Sequence, residues 1–464
     1  MISIDKNSKQ NLIIRVIYII LVVMINVGFF FVLGERGTLL FKDSPTFIEW
    51  SYSTKHITYQ IYPLFLRFIR NIQGENTYIR YIYVYQGLLS VIANVGLVEY
   101  IRRKYELNHL SGLAAYVAIM ATYGFTLPEA VSSHYIASES ITIPLFLVSV
   151  LFVIRYYLDN SYISMLLGLA GGYLLYKTRP QLIIFLLVFI VFFICYEIYK
   201  IWGVYNRKRF YIAFVLAAFM SMIIGIVAMF RVIEGWGDSA ANTQMIEAIT
   251  GKALCLMREE DSALYKGEDK EVFELLYNDV ANRGARIADY PDSIINYEPI
   301  HVKINDNITE HESIIWNYFI AKRGDDGGED AYAVRNLITA TEVRNHRGDF
   351  VRVIIRLMPS SLVASIFIQP ESIRIACYLV AGIIYIFALG VILYGFTRHI
   401  NGEYVTPLFF VIMLIISNAS ASNTVLYGQQ RYVIYCMGIF YVFFAIAIIG
   451  CYRKRNILSS GEKP

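Results

Sequence analysis

Four ionisable residues stand at the edges of long apolar runs: Asp43, Glu139, Arg179 and Arg431. A carboxylate can accept a proton, and a guanidinium fork can hold an anionic group. Ionisable groups are costly beside hydrocarbon, so they face cavities or partners there. Each stands in a distinctive stretch: Lys42-Asp43-Ser44-Pro45-Thr46-Phe47, Ser138-Glu139-Ser140, Thr178-Arg179-Pro180 and Gln430-Arg431-Tyr432. Lys42, Glu49, His134 and Lys177 lie close to them in sequence. Plainer roles exist for all. Asp43 suits a helix N-cap before Ser-Pro, Arg179 and Arg431 suit headgroup anchors, and Glu139 suits an ion-pair partner. His56 and His134 read as packing or surface residues. His301, His311 and Glu312 match no metal spacing.

The elements that must position these residues are apolar helices. Of 464 residues, 56% belong to the AVILMFWYC set and 17% are charged, against about 45–50% and about 25% in soluble domains. That balance excludes disordered, collagenous, coiled-coil and disulfide-scaffold chains. A net charge of +4 gives no bulk field for nucleic acid. About 20 apolar residues cross a bilayer as a helix, and ten such runs are read. They are Leu12–Leu33, Arg80–Ile101, His109–Thr126, Ile136–Tyr156, Ser164–Tyr176, Leu182–Trp202, Tyr211–Ile233, Ile373–Phe396, Thr406–Ser420 and Gln430–Cys451. The fifth and ninth are short. The expectation is an all-α polytopic membrane protein.

Basic residues set its orientation. Lys6, Lys9, Arg102-Arg103-Lys104, Arg207-Lys208-Arg209, Arg398 and Arg453-Lys454-Arg455 all fall on one side of ten crossings. Both termini are then cytoplasmic, in the cell membrane. The N-terminal run is too long for a signal peptide. Residues 1–233 form an N-terminal transmembrane module with an outer loop at 34–79. Residues 234–349 form an extracytoplasmic insert, and residues 350–464 a C-terminal transmembrane module. In the outer loop, Leu64, Phe65, Phe68, Ile69 and Ile72 recur at helical spacing, the pattern of an interfacial helix from which Arg67 and Arg70 snorkel to lipid phosphate.

The insert is acidic, with 22 Asp/Glu against 12 Lys/Arg between Gly235 and Asp349. Asn242–Arg258, Glu268–Ala288 and Glu312–Lys322 read as its helices, and Gly324–Asp330 as a loop without EF-hand spacing. Its one cysteine, Cys255, has no evident partner, and the five cysteines show no CxxC pattern.

Taken in order, the four motifs and Tyr62-Pro63 resemble the GT-C superfamily of polyprenyl-phosphate-sugar-dependent membrane glycosyltransferases. The nearer likeness is to bacterial protein O-mannosyltransferases and lipid A aminoarabinose transferases. It covers roughly the first 200 residues and the last 40. The resemblance implies sugar transfer from a polyprenyl-phosphate donor to a glycan, lipid or protein hydroxyl on the extracytoplasmic face, among membrane lipids. It maps Asp43 onto the family's active-site acid, here a general base in an inverting displacement. Arg179, Arg431 and Lys42 would bind the donor phosphate, while Glu139, Glu49 and His134 would orient them or hold the sugar. Many family members carry a second acid beside the first, whereas Ser44 follows Asp43 here, and Glu49 is the next acid. No metal ligand or cofactor is assigned, and a divalent cation stays open. The alternatives are an O-antigen or capsule polymerase, whose arginines lie in large periplasmic loops, and a transporter, which would show repeated halves.

Overall fold

The computed structural model describes residues 12–25, 37–40, 43–52, 61–124, 135–201, 207–235, 244–289, 300–324, 327–366, 373–398, 400, 402–425 and 430–460. Apart from an isolated bridge between Leu39 and Tyr135, regular structure among them is helical. The helices are α1 (Leu12–Ile25), then α2 (Ser44–Tyr52), α3 (Ile61–Gln73), α4 (Tyr78–Lys104), α5 (His109–Gly124) and α6 (Glu139–Asp159). Next come α7 (Tyr162–Thr178), α8 (Ile183–Ile201), α9 (Arg207–Glu234), α10 (Gln244–Leu254), α11 (Gly267–Asn282) and α12 (Ile300–Arg323). The last are α13 (Gly327–Asn345), α14 (Arg347–Ala364), α15 (Arg374–Thr397), α16 (Gly402–Val425), α17 (Gln430–Val433) and α18 (Met437–Ser460).

Among the described residues, six helical segments are long and apolar enough to cross a membrane: α4, α6, Pro180–Ile201, and the apolar stretches of α15, α16 and the Ile434–Arg453 segment. Shorter apolar stretches lie in α1, α5 and α9. The chain is an all-α membrane protein. One hydrophobic cluster joins α4 to α9 with α15, α16 and α18. Helix α6 lies deep within it, and α7 approaches it closely. A Cβ on Gly171 of α7 would stand 3.0 Å from Ser149 Cβ and 3.3 Å from Ser149 Cα. Small residues permit such contact where no water drives helices together. The short ninth run proves to be the 24-residue α16, extended by its neighbours at both ends.

Helix α3 corrects one expectation. Its buried residues are Tyr62, Pro63, Leu66 and Ile69, of which Tyr62, Leu66 and Ile69 pack with Tyr78 and Ile82 of α4 and with Ile136 and Ile141. Phe68 and Ile72 instead lie exposed on another side. Nor does Arg70 snorkel: its guanidinium donates to Ser51 O at 3.1 Å and stacks 3.9 Å over the Tyr52 ring, fastening α3 to α2.

The described residues between α9 and α14 are largely helical, with corrected limits. Helix α12 begins well before Glu312, and Gly327–Asp330 form the first turn of α13 rather than a loop. Helix α14 was not anticipated. A hydrophobic cluster runs from Met229 and Ile233 of α9 through Ala248, Ile249 and Ile304 to Phe350, Val353 and Leu357 of α14. Cys255 is free and buried.

One lysine ties this segment to the bundle. Lys252 of α10 is fully buried, and its Nζ donates to Thr424 O at 2.6 Å, satisfying a carbonyl that the last turn of α16 leaves open. Burial pushes the Lys252 ammonium down to about 7. The unfolded chain keeps this proton up to about pH 10.5, so between about 7 and 10.5 it binds more protons than the folded chain and stability rises with pH. Thermal unfolding in detergent should therefore show a melting temperature that climbs from pH 7 to pH 10. Lys252→Met should remove that part of the slope, and an unchanged slope in the variant would contradict a buried, neutral lysine.

Candidate functional site at the Asp43 end of the bundle

Asp43 stands at the N-cap position of α2, its carbonyl accepting from Phe47 N at 3.3 Å. Its side chain is half-buried. Two bonds fix this short stretch to the chain that leads into α6. Ile136 N donates to Leu39 O at 3.0 Å, beside the parallel Leu39–Tyr135 bridge, and the buried Ser44 Oγ donates to Ile136 O at 2.7 Å. Leu39 and Ser44 are thereby held to Ile136, three residues from Glu139.

Tyr62 secures the same place from α3. Its hydroxyl donates to Gln86 Oε1 at 2.7 Å, and Gln86 Nε2 donates to Tyr135 O at 3.0 Å. Burial, with the Glu139 charge second, raises the Tyr62 phenol well above its usual range, so it acts as a hydroxyl donor. This explains why Tyr62-Pro63 faces inward. A buried phenol must find a partner, and here the chain Tyr62–Gln86–Tyr135 holds the start of α6.

Glu139, in the first turn of α6, is buried and forms an ion pair with Arg179. Arg179 follows α7 in extended backbone, with φ −149° and ψ 113°, because Pro180 disfavours helix at the residue before it. That turn swings the guanidinium toward α6. Its carbon stacks 4.8 Å from the ring centroid of Tyr432 in α17. With the Gln181 amide turned carbonyl-inward, Gln181 Oε1 accepts from Arg179 Nε at 2.7 Å and Nη2 at 3.3 Å. Tyr432 is held in turn by Asn418 of α16, whose Nδ2 donates to Tyr432 O at 3.0 Å.

Three of the four motifs thus meet through side chains, and the fourth is tied to them through backbone. Glu139 serves Arg179 directly. Glu49 lies exposed on α2, and among the described residues no contact brings it to Glu139 or Arg179. Lys42 and His134 lie outside the described residues, as does the side chain of Arg431, although its backbone forms part of α17. Sequence reasoning singled out the charges but missed Gln86 and Asn418, polar residues inside apolar runs whose bonds hold the site together.

A second polar centre lies in the segment between α9 and α14. Among the described residues, Asp261, Glu342 and His346 are one close-set group of metal-binding types. Of the residues weighed in that segment, His311 is buried, donates from Nδ1 to its own helix at Asn307 O, and is pushed down to about 4 by burial. The side chains of His301 and Glu312 lie outside the described residues.

No protein family, curated protein or solved structure matches this chain.

The Glu139–Arg179 pair gives a stability prediction. Glu139 is nearly inaccessible and Arg179 mostly buried. Removing one member of such a pair leaves a charge uncompensated, at a cost of about 3–5 kcal/mol. Glu139→Gln should lower the melting temperature in detergent markedly, and Glu139→Gln/Arg179→Gln should recover much of the loss. A single variant as stable as the double would show that the pair is not coupled.

Proposed function

We propose that the chain is an integral-membrane glycosyltransferase, moving a sugar from a polyprenyl-phosphate carrier to an acceptor hydroxyl on the extracytoplasmic face. The observation that carries this reading is the convergence of Asp43's segment, Glu139, Arg179 and Tyr432 at one end of the bundle. These are the motifs on which the GT-C resemblance rests, brought together from four distant parts of the chain.

In the proposed topology, α1, α4 to α9, α15, α16 and α18 make ten crossings. The basic stretches then face the cytoplasm, and the Asp43 end faces outward. A lipid-linked donor suits that side, since soluble nucleotide sugars are largely confined to the cytoplasm. The exposed side of α3, with Phe68 and Ile72, would meet lipid beside the donor's prenyl chain.

The reaction would run in one displacement. The acceptor oxygen attacks the anomeric carbon, and Asp43 takes its proton. The bond from that carbon to the phosphate oxygen breaks, and the electron pair leaves on the lipid phosphate. Asp43 then returns its proton to water. Attack opposite the leaving group inverts the anomeric centre. A placed base supplies roughly 10²–10⁴-fold.

Charge on the phosphate grows as the bond breaks, so a fixed guanidinium stabilises the transition state more than the ground state. Arg179 is the chosen cation because Glu139 and Tyr432 hold it in one orientation. Gln181 is its neutral partner and the one that a phosphate oxygen would replace. Arg431 would be the second cation, and Lys42 would lie beside the base.

Mass spectrometry of cell-envelope glycans tests this reading. A deletion strain should lack one glycan or glycoconjugate, and re-introduced Asp43→Asn should fail to restore it while the protein still inserts. Arg179→Lys should restore it poorly at equal expression. Full restoration by Asp43→Asn would remove Asp43 from the base role, and an unchanged glycan profile on deletion would remove the activity altogether.

A further inference from the structure

The second polar centre is built from two separate elements. Asp261 lies in the 3-10 turn Glu259–Leu264, and Glu342 in the last turns of α13. His346 is the single residue joining α13 to α14. Glu342 and His346 are four apart and so share one helical face. The three ligand-type atoms all lie within 4.8 Å of one another.

The contacts leave the centre short of positive charge. Asp261 Oδ2 meets His346 Nε2 at 2.8 Å and accepts from Arg258 N at 2.9 Å. Glu342 Oε1 accepts from the Tyr265 hydroxyl at 2.7 Å. Glu342 Oε2 has no hydrogen-bond partner, although the side chain is fully buried, and it points at His346 Nε2 from 3.8 Å. The neighbouring Arg258 guanidinium is engaged elsewhere, 2.7 Å from Asp349 Oδ2. A buried carboxylate oxygen without a donor is expensive.

We propose that Asp261, Glu342 and His346 form a binding site for one divalent transition-metal ion of the zinc type. One imidazole and two carboxylates, with water in the fourth position, make a tetrahedral set. Calcium and magnesium prefer six or more oxygen ligands, so the imidazole points to zinc or a close relative. Bonds of about 2.0–2.2 Å would hold neighbouring ligand atoms roughly 3.3 Å apart. The Asp261–His346 separation would open by about half an ångström, and the His346–Glu342 separation would close by as much. The Tyr265 hydroxyl fixes the orientation of Glu342, as outer partners of metal ligands commonly do. His346 and Asp261 keep 11% and 8% side-chain exposure, a route of entry that Glu342 at 0% lacks.

Such an ion would pin the α13–α14 junction to the 259–264 turn. It would thereby brace the segment that packs on α9 and α14. The proposal does not depend on glycosyl transfer, and its test does not use activity.

The test uses the full chain, purified in detergent, stripped with a chelator and then titrated with Zn²⁺ or Co²⁺. The expected result is about one equivalent of zinc retained through gel filtration, together with the intense visible absorption of tetrahedral cobalt. Retention should fall at least tenfold in both His346→Ala and Glu342→Gln. The cobalt spectrum of the unaltered protein decides the matter where a variant fails to fold. Retention below a tenth of an equivalent with no cobalt band would overturn the proposal and leave a shared proton as the neutralising charge. Zinc held equally well by a folded His346→Ala would overturn it too.

Discussion

A charged guanidinium at the edge of an apolar bundle must be neutralised, and the Asp43 end of this protein is organised around that need. Arg179 is paired by Glu139, stacked on Tyr432 and flanked by Gln181. Each partner comes from a different part of the chain, so the pair can form only when α6, α7 and α17 are correctly assembled. Breaking helix at Arg179, before Pro180, is what frees the side chain to reach across. The energetic demand of one cation thus fixes the arrangement of three elements.

The acid of the proposed chemistry is held less directly. Asp43 caps α2 and belongs to a short segment that gains its position from Leu39, Ser44 and Ile136 as well as from its own helix. The neutral Tyr62–Gln86–Tyr135 chain supports that segment from below. The proposed seat for the anion is thus rigid, and the proposed base is tethered through its neighbours. That division suits a reaction in which a bulky donor must enter sideways from lipid.

Much of this was legible in the sequence, and the misses share a cause. Apolar runs predict helices well, because backbone in hydrocarbon must satisfy its own hydrogen bonds, and a described helix stands within each of the ten runs. Hydropathy does not say which apolar face meets protein and which meets lipid, so the burial of Tyr62, Leu66 and Ile69 against α4 was not foreseen, while Phe68 and Ile72 stay exposed. Helix α14 escaped notice because Arg352 and Arg356 interrupt Phe350, Val353, Ile354 and Leu357, although the spacing of those four is helical. Glu139 and Arg179 could be singled out as costly charges, yet their pairing depends on the chain direction after Pro180. Asp261 and His346 are 85 residues apart, and only the Glu342–His346 spacing could have hinted at their meeting.

The central claim is that Arg179 and its partners form a seat for a lipid phosphate while Asp43 acts only in the chemistry. Native mass spectrometry of the purified protein with undecaprenyl phosphate separates these roles. The account predicts a bound lipid in the unaltered protein and in Asp43→Asn, and its loss in Glu139→Gln/Arg179→Gln, where no unpaired charge disturbs the fold. Equal lipid binding by that double variant, or none by the unaltered protein, would contradict it.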